Sequence, residues 1–387
     1  MRRIIGFIFY SIFPLLVMAE RLTPYVNPFV GTDGYGNVYP GAQIPFGGIQ
    51  ISPDTDADFY DAASGYKYSH STLMGFSLTH LSGTGIPDLG DFLFVPGAGE
   101  IKSVPGTHDE PEKGYRSHYS HDKEWASPGY YGVELIDYGV KAEMTAASRS
   151  GFFRFTYPKS DQAFILIDMN HTLWQSCPWA NLRQINDSTL VGYKLVKGWG
   201  PERHVYFAAT FSCKLNNFQI LQNGKPVIYD TKRFRSHLEA WGEKLMACVR
   251  FETQANQEIY VKTAISGVST EGALRNLQEL NGFDFDRTRE AADRLWEKEL
   301  SKFQVKGDLK TKQTFYTSAY HAALHPFIFQ DVDGMYRGLD KNIEKAENFT
   351  NYTTFSLWDT YPCFSSIAQS YKSAVASRHR QFNVGTL

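Results

Sequence analysis

The sequence predicts a β-then-α chain, an antiparallel β-sandwich first and helices after it. Three observations carry this. Short β-branched and aromatic runs bounded by turn residues recur from Thr23 to about Thr270. Asn223-Gly224 stands between two such runs, and the tightest hairpin turns need a positive φ at both central positions. Near Thr270 the apolar period changes from about 2 to about 3.6 residues. Strands grouped ahead of helices argue against an alternating α/β fold.

Residues 152–157, 163–168, 204–211 and 259–265 are strand-like, rich in Phe, Ile, Val, Tyr and Ala. Residues 218–221 and 226–229 flank the Asn-Gly turn. Ala273, Leu274, Leu277 and Leu280 open the helical pattern. A second helix is expected over 286–303, with Ala291, Ala292, Leu295, Trp296, Leu300 and Phe303 inward and Asp284 or Asp286 as its cap. Glu290 precedes Arg294 by one helical turn and supports it. A third helix is expected over 311–324, burying Phe315, Tyr316, Ala319, Tyr320 and Ala323, and Pro326 stops it. A last helix begins near Asp359, so 284–371 is expected to be mainly helical.

The chain has 387 residues, 39 basic and 41 acidic, for a formal net charge of −2. That balance argues against a nucleic-acid-binding protein. With 21% charged and 42% hydrophobic residues the chain is not disordered. The 28 Phe, 23 Tyr and 7 Trp fit two readings, a β-rich core or aromatic faces on which sugar rings stack. Met1-Arg2-Arg3, an apolar run over 4–18 and Ala19 read as an export signal, with a run too short for a membrane span. The mature chain is therefore expected to lack a membrane span and to be exported: periplasmic, cell-surface or secreted. Cys177, Cys213, Cys248 and Cys363 lack metal-site spacing and leave disulfides and free thiols both open.

Asp54-Thr-Asp56-Ala-Asp58 begins like a calcium loop, but Phe59 and Gly65 stand where Gly and Glu are required. Asp331-Val-Asp333-Gly334 fails the same test, and both read as turns with Asp bonding local amides. The loops 31–36 and 82–85 are glycine-rich without a phosphate-loop pattern, and read as tight turns. His80, in a strand-like run, reads as a satisfied core residue. Trp358-Asp359 fits a sugar, with a ring on indole and hydroxyls on the carboxylate, and equally a helix cap beside a core Trp.

Taken together and in order, several motifs resemble glycoside hydrolase family 92, the calcium-dependent α-mannosidases. They are Tyr25-Val-Asn-Pro-Phe-Val-Gly-Thr32, Tyr39-Pro-Gly-Ala42, Pro45-Phe-Gly47, Ser52-Pro-Asp54, Ser64-Gly-Tyr66 and Thr79-His-Leu-Ser-Gly-Thr-Gly85 with Asp88-Leu-Gly. Asp331-Val-Asp-Gly-Met-Tyr-Arg-Gly338 and Tyr352-Thr-Thr-Phe-Ser-Leu-Trp-Asp-Thr-Tyr361 continue the series.

The resemblance implies a signal over 1–19, a sandwich over 20–270, a helical linker over 271–303, and over 304–387 the first helices of an incomplete (α/α)6 barrel. It implies inverting hydrolysis of α-mannosides in mannose-containing glycans, with a Glu as acid, an Asp as base, and calcium. Trp358 and Asp359 match the pair that contacts the non-reducing mannose. Tyr60 falls where α-1,2-specific members carry Trp. Family members are roughly twice as long, so no catalytic residue is assigned here, and the calcium ligands are expected mostly outside this chain. The chain reads as a fragment that is inactive alone, with barrel-facing helices open to self-association. The alternatives are a non-catalytic carbohydrate-binding module and an interaction module.

Overall fold

The computed structural model describes residues 20–57, 61–200, 202–228 and 238–354. The proposed export signal, Asp58, Tyr60, Trp358, Asp359, Cys363 and the helix expected near 359 lie outside the described residues.

Among those residues two large antiparallel sheets stack as a sandwich. The first has seven strands, in the order Ser52–Asp54, Gly75–Ser77, Leu93–Ala98, Ser160–Asp168, Leu245–Thr253, Asn217–Gln222 and Lys225–Pro226. The second has nine, in the order Glu239–Gly242, Ser176–Asn186, Thr189–Lys197, Arg203–Phe211, Gln257–Ser266, Ser150–Tyr157, Val140–Ala146, Tyr130–Leu135 and Glu124–Ser127. Alternation along each strand decides which residues meet between the sheets. Phe153 and Phe155 join Phe94, Ile165, Ile167, Met144, Phe207 and Val249 in the main core. Their neighbour Phe152 points the other way and packs with Tyr130, Leu280 and Phe285. Both faces of the central strands are thus covered, which is why they read as unbroken apolar runs.

The hairpin turn has Asn223 at φ 51° and Gly224 at φ 71°, as the Asn-Gly pair demands. Gly31, Gly34 and Gly83 also hold positive φ, so these loops contain the expected turns.

Among the described residues after Ser266 there are three α-helices: α1 (Thr270–Asn276), α2 (Phe285–Leu300) and α3 (Leu309–Ala322). Helix α1 lays Ala273 and Leu277 on Val191, Ala208 and Ala264, on the outer face of the nine-stranded sheet. Asp284 caps α2 by accepting from the Arg287 amide at 3.0 Å, and Asp308 caps α3 by accepting from Thr311 at 2.8 Å. Trp296, Leu300, Tyr316 and Tyr320 close a second core with Val26, Tyr39 and Phe46. The indole of Trp296 donates to the Gln43 carbonyl at 2.7 Å.

Three expectations need correction. Leu295 and Phe315 are 43% and 37% exposed, because the facing surface is narrower than the apolar stripes. Helix α2 ends at Leu300, with Ser301 as its C-cap, three residues short of Phe303. Residues 327–353 are not helical: they form short strands, Phe327–Ile328 with Tyr352–Thr353 and Met335–Arg337 with Ile343–Lys345. Pro326 and the Asp-Gly turn at 333–334 break the helical period there.

Cys177, Cys213 and Cys248 are free thiols. Among the described residues no helix is long and apolar enough to cross a membrane.

Candidate functional site

A cleft of about 130 Å³ opens where the sandwich meets the segment 327–354. Thr79, Asp91, Arg203 and Ser266 line it from the sandwich, and Phe329, Asp331 and Thr354 from the later segment. Close backbone approach builds it. A Cβ on Gly48 would stand 2.6 Å from the Ile328 carbonyl oxygen, and one on Gly267 would stand 2.7 Å from the Phe329 ring.

One wall is a buried ion cluster. The Arg203 guanidinium grips Asp91 with both terminal nitrogens, at 2.5 and 3.2 Å, and the Lys194 ammonium joins at 3.0 Å. Thr79 donates its hydroxyl to the same carboxylate at 2.7 Å. Lys194 is fully buried and also donates to the His171 carbonyl at 2.6 Å. Burial alone would raise the Asp91 carboxyl, but Arg203 and Lys194 overcome it and hold it well below the ordinary carboxylate range. Asp88, 3.9 Å from Arg203, goes the other way, because burial outweighs the cation.

Behind this wall sits a second buried group. Asp54 accepts from His80 at 2.8 Å and from His171 at 2.7 Å, and the other His80 nitrogen bonds the Gln50 carbonyl. His80 is therefore the satisfied core residue that its strand context predicts. Asp54 is a buried charge partner and not a turn residue, which corrects that reading. Asp56 does bond its neighbouring amide, at 2.7 Å from Ala57.

The opposite wall is held by Asp331, which accepts from Ser266 and Asn276, both at 2.8 Å. A Cβ on Gly272 would stand 2.1 Å from its carboxylate, so α1 passes this close only with glycine there. Burial raises the Asp331 carboxyl despite these two donors. Asp331 too is not the local turn Asp expected, whereas Asp333 accepts from the Met335 amide at 3.1 Å. Guanidinium and hydroxyl donors beside carboxylate acceptors suit a hydroxyl-rich ligand, since each hydroxyl both donates and accepts.

The three predicted substrate contacts, Tyr60, Trp358 and Asp359, lie outside the described residues; Thr354, which lines the cleft, precedes Trp358 by four positions in sequence. Sequence reasoning missed Lys194, Arg203 and His171. Arg203 and Asp91 are 112 positions apart, and no spacing rule joins them.

A β-sandwich with a cleft against a helix-bearing segment is the class that the geometry defines. The chain belongs to glycosyl hydrolase family 92: the family's N-terminal domain matches residues 25–266 and its catalytic domain matches residues 272–379. A solved family GH92 α-mannosidase from Bacteroides thetaiotaomicron is 75% identical, with a TM-score of 0.86, over 88% of this chain and 46% of its own. The structure described as that enzyme in complex with mannoimidazole is 71% identical, with a TM-score of 0.87, over 92% of this chain and 49% of its own. A curated relative from Arthroderma benhamiae, described as an uncharacterized secreted glycosidase, is 25% identical over 80% of this chain and 42% of the relative. The chain spans less than half the length of each of these relatives.

Proposed function

We propose that this chain is part of an exported α-mannosidase and supplies one side of its mannose site. The observation that carries this is the 75% identity to the B. thetaiotaomicron α-mannosidase across 88% of the chain. The mannoimidazole complex of the similar structure supports a mannose-containing glycan as substrate. In this reading 20–270 is the sandwich domain, 271–303 a helical linker and 304–387 the start of the catalytic domain. Trp358 and Asp359 hold the terminal mannose, and Tyr60 stacks on the next sugar. Tyr in place of Trp there leaves α-1,2 linkages as one option among several.

Inverting hydrolysis needs one protonated acid and one base facing across a water. Asp91 is neutralised by Arg203 and Lys194, and Asp331 is tied to Ser266 and Asn276. Asp88 bonds the Leu89 amide at 2.6 Å. Each thus has a positioning role, so the acid and base are assigned to the part of the relatives that this chain does not span. Calcium takes six to eight oxygens. Asp54, Asp91 and Asp331 do not fit such a cradle, because histidines, cations or amide and hydroxyl donors already occupy their oxygens. In this reading the calcium ligands lie mostly outside this chain.

A second reading, a non-catalytic glycan-binding module, is favoured by Trp179 and Trp241. These are exposed on neighbouring strands with ring centroids 6.3 Å apart.

Calorimetric titration of the chain with mannoimidazole separates the two. The mannose-site reading predicts binding that Trp358→Ala abolishes. Binding lost instead in Trp179→Ala would support the module reading.

A further inference from the structure

Three loops converge outside the cleft. They bring together Asp56, His70 and His108, with one potential ligand atom of each within 4.8 Å of the other two. The His108 Nε2 lies 3.1 Å from the Asp56 carboxylate. The two imidazole rings stand 4.2 Å apart, centroid to centroid, tilted by 52°. Each Nδ1 is held from behind by a hydroxyl, that of Thr55 for His70 at 3.0 Å and that of Thr72 for His108 at 2.9 Å. Arg116 donates to the Thr72 hydroxyl at 3.3 Å and so fixes that support. Hydrogen bonds of this kind orient metal-bound histidines, leaving the other nitrogen for the ion.

Hydrogen bonding within the cluster leaves one ring poorly served. Among the described residues the His70 Nε2 has only the Asp61 carboxylate, at 3.4 Å, and Lys67 already engages that group.

We propose that Asp56, His70 and His108 bind a divalent transition ion of the zinc type. Two imidazoles and a carboxylate are a donor set for zinc, whereas calcium and magnesium prefer oxygen. Ligand atoms around one tetrahedral zinc stand about 3.4 Å apart, a spacing inside the 4.8 Å limit that the three atoms keep. Water completes the coordination, since Asp61 is held by Lys67. The ion fastens the loops around 56, 70 and 108 to one another. None of the three ligands lines the cleft, so metal binding and mannoside binding are read separately.

The test is titration of the metal-stripped full chain with Co(II), followed by visible absorption, then competition with Zn(II) and with excess Ca(II). One Co(II) per chain is expected, bleached by Zn(II) and untouched by Ca(II). His70→Gln, His108→Gln and Asp56→Asn should each weaken it at least about tenfold. His204→Gln, which alters a His–Glu pair on the nine-stranded sheet, should leave it unchanged. Far-UV circular dichroism of the stripped variants confirms that they fold, and a variant that does not fold is replaced by the next of the three. Absence of a visible Co(II) band, displacement by calcium, or equal binding by a folded His70→Gln/His108→Gln chain would overturn the proposal.

Discussion

Asp91 lines the cleft and carries Arg203 and Lys194 on one buried carboxylate. Removing the acid strands two cations, one of them fully buried. Breaking such a pair from one side costs about 3–5 kcal/mol. Asp91→Ala should therefore lower stability by about that much in urea unfolding. A loss below about 1 kcal/mol would mean that water already reaches the cluster. Asp54 and Asp91 are both held below the ordinary carboxylate range, against the opposing effect of burial. Their contribution is full above the unfolded value of about 3.9 and is lost as the pH falls further, through their folded values. None of this was legible in the sequence. His80 could be read as buried from its strand context, but its partner Asp54 lies 26 positions away. Charge pairing across a sandwich follows from topology, which local pattern does not encode.

The strands and the three helices were legible because alternation and the 3.6-residue period survive in the residues that they bury. The pairs at 327–353 were not, since strands two or three residues long have no period to read. The helix-bearing segment depends on a small core with Trp296 at its centre. Trp296→Ala should cost about 3–5 kcal/mol, read as a lowered midpoint in thermal unfolding. Asp284→Ala should cost only about 1 kcal/mol, the worth of one cap. The same segment holds His321 and His325, whose pKa values burial pulls down to about 4. Below about 6.5 the unfolded chain binds protons that these folded histidines refuse, so stability falls from there through about pH 4. The sandwich carboxylates weaken only below that window. Acid unfolding followed by Trp fluorescence and far-UV circular dichroism should thus lose the helices before the strands. Simultaneous loss would show that the second core is not separable from the first.

The molecule as a whole joins a complete sandwich to helices that leave Leu295, Leu309 and Phe315 exposed. Exposed apolar side chains favour association, and sedimentation at rising concentration should show self-association that Leu295→Lys with Leu309→Lys suppresses. The family was legible from ordered motifs spread along the chain, while the cleft needed the fold, because its walls come from distant segments. The central claim is that these 387 residues furnish a mannose site without the acid and base that act on it. General acid–base catalysis contributes about 10²–10⁴-fold, so a chain lacking both groups has almost no turnover. The most direct measurement compares hydrolysis of an aryl α-mannoside, with calcium added, by two proteins. One is this chain, and the other is this chain extended with the part of the B. thetaiotaomicron α-mannosidase that it does not span. Turnover by the extended protein alone is the result predicted; equal turnover by both would place the catalytic carboxylates within this chain and contradict the account.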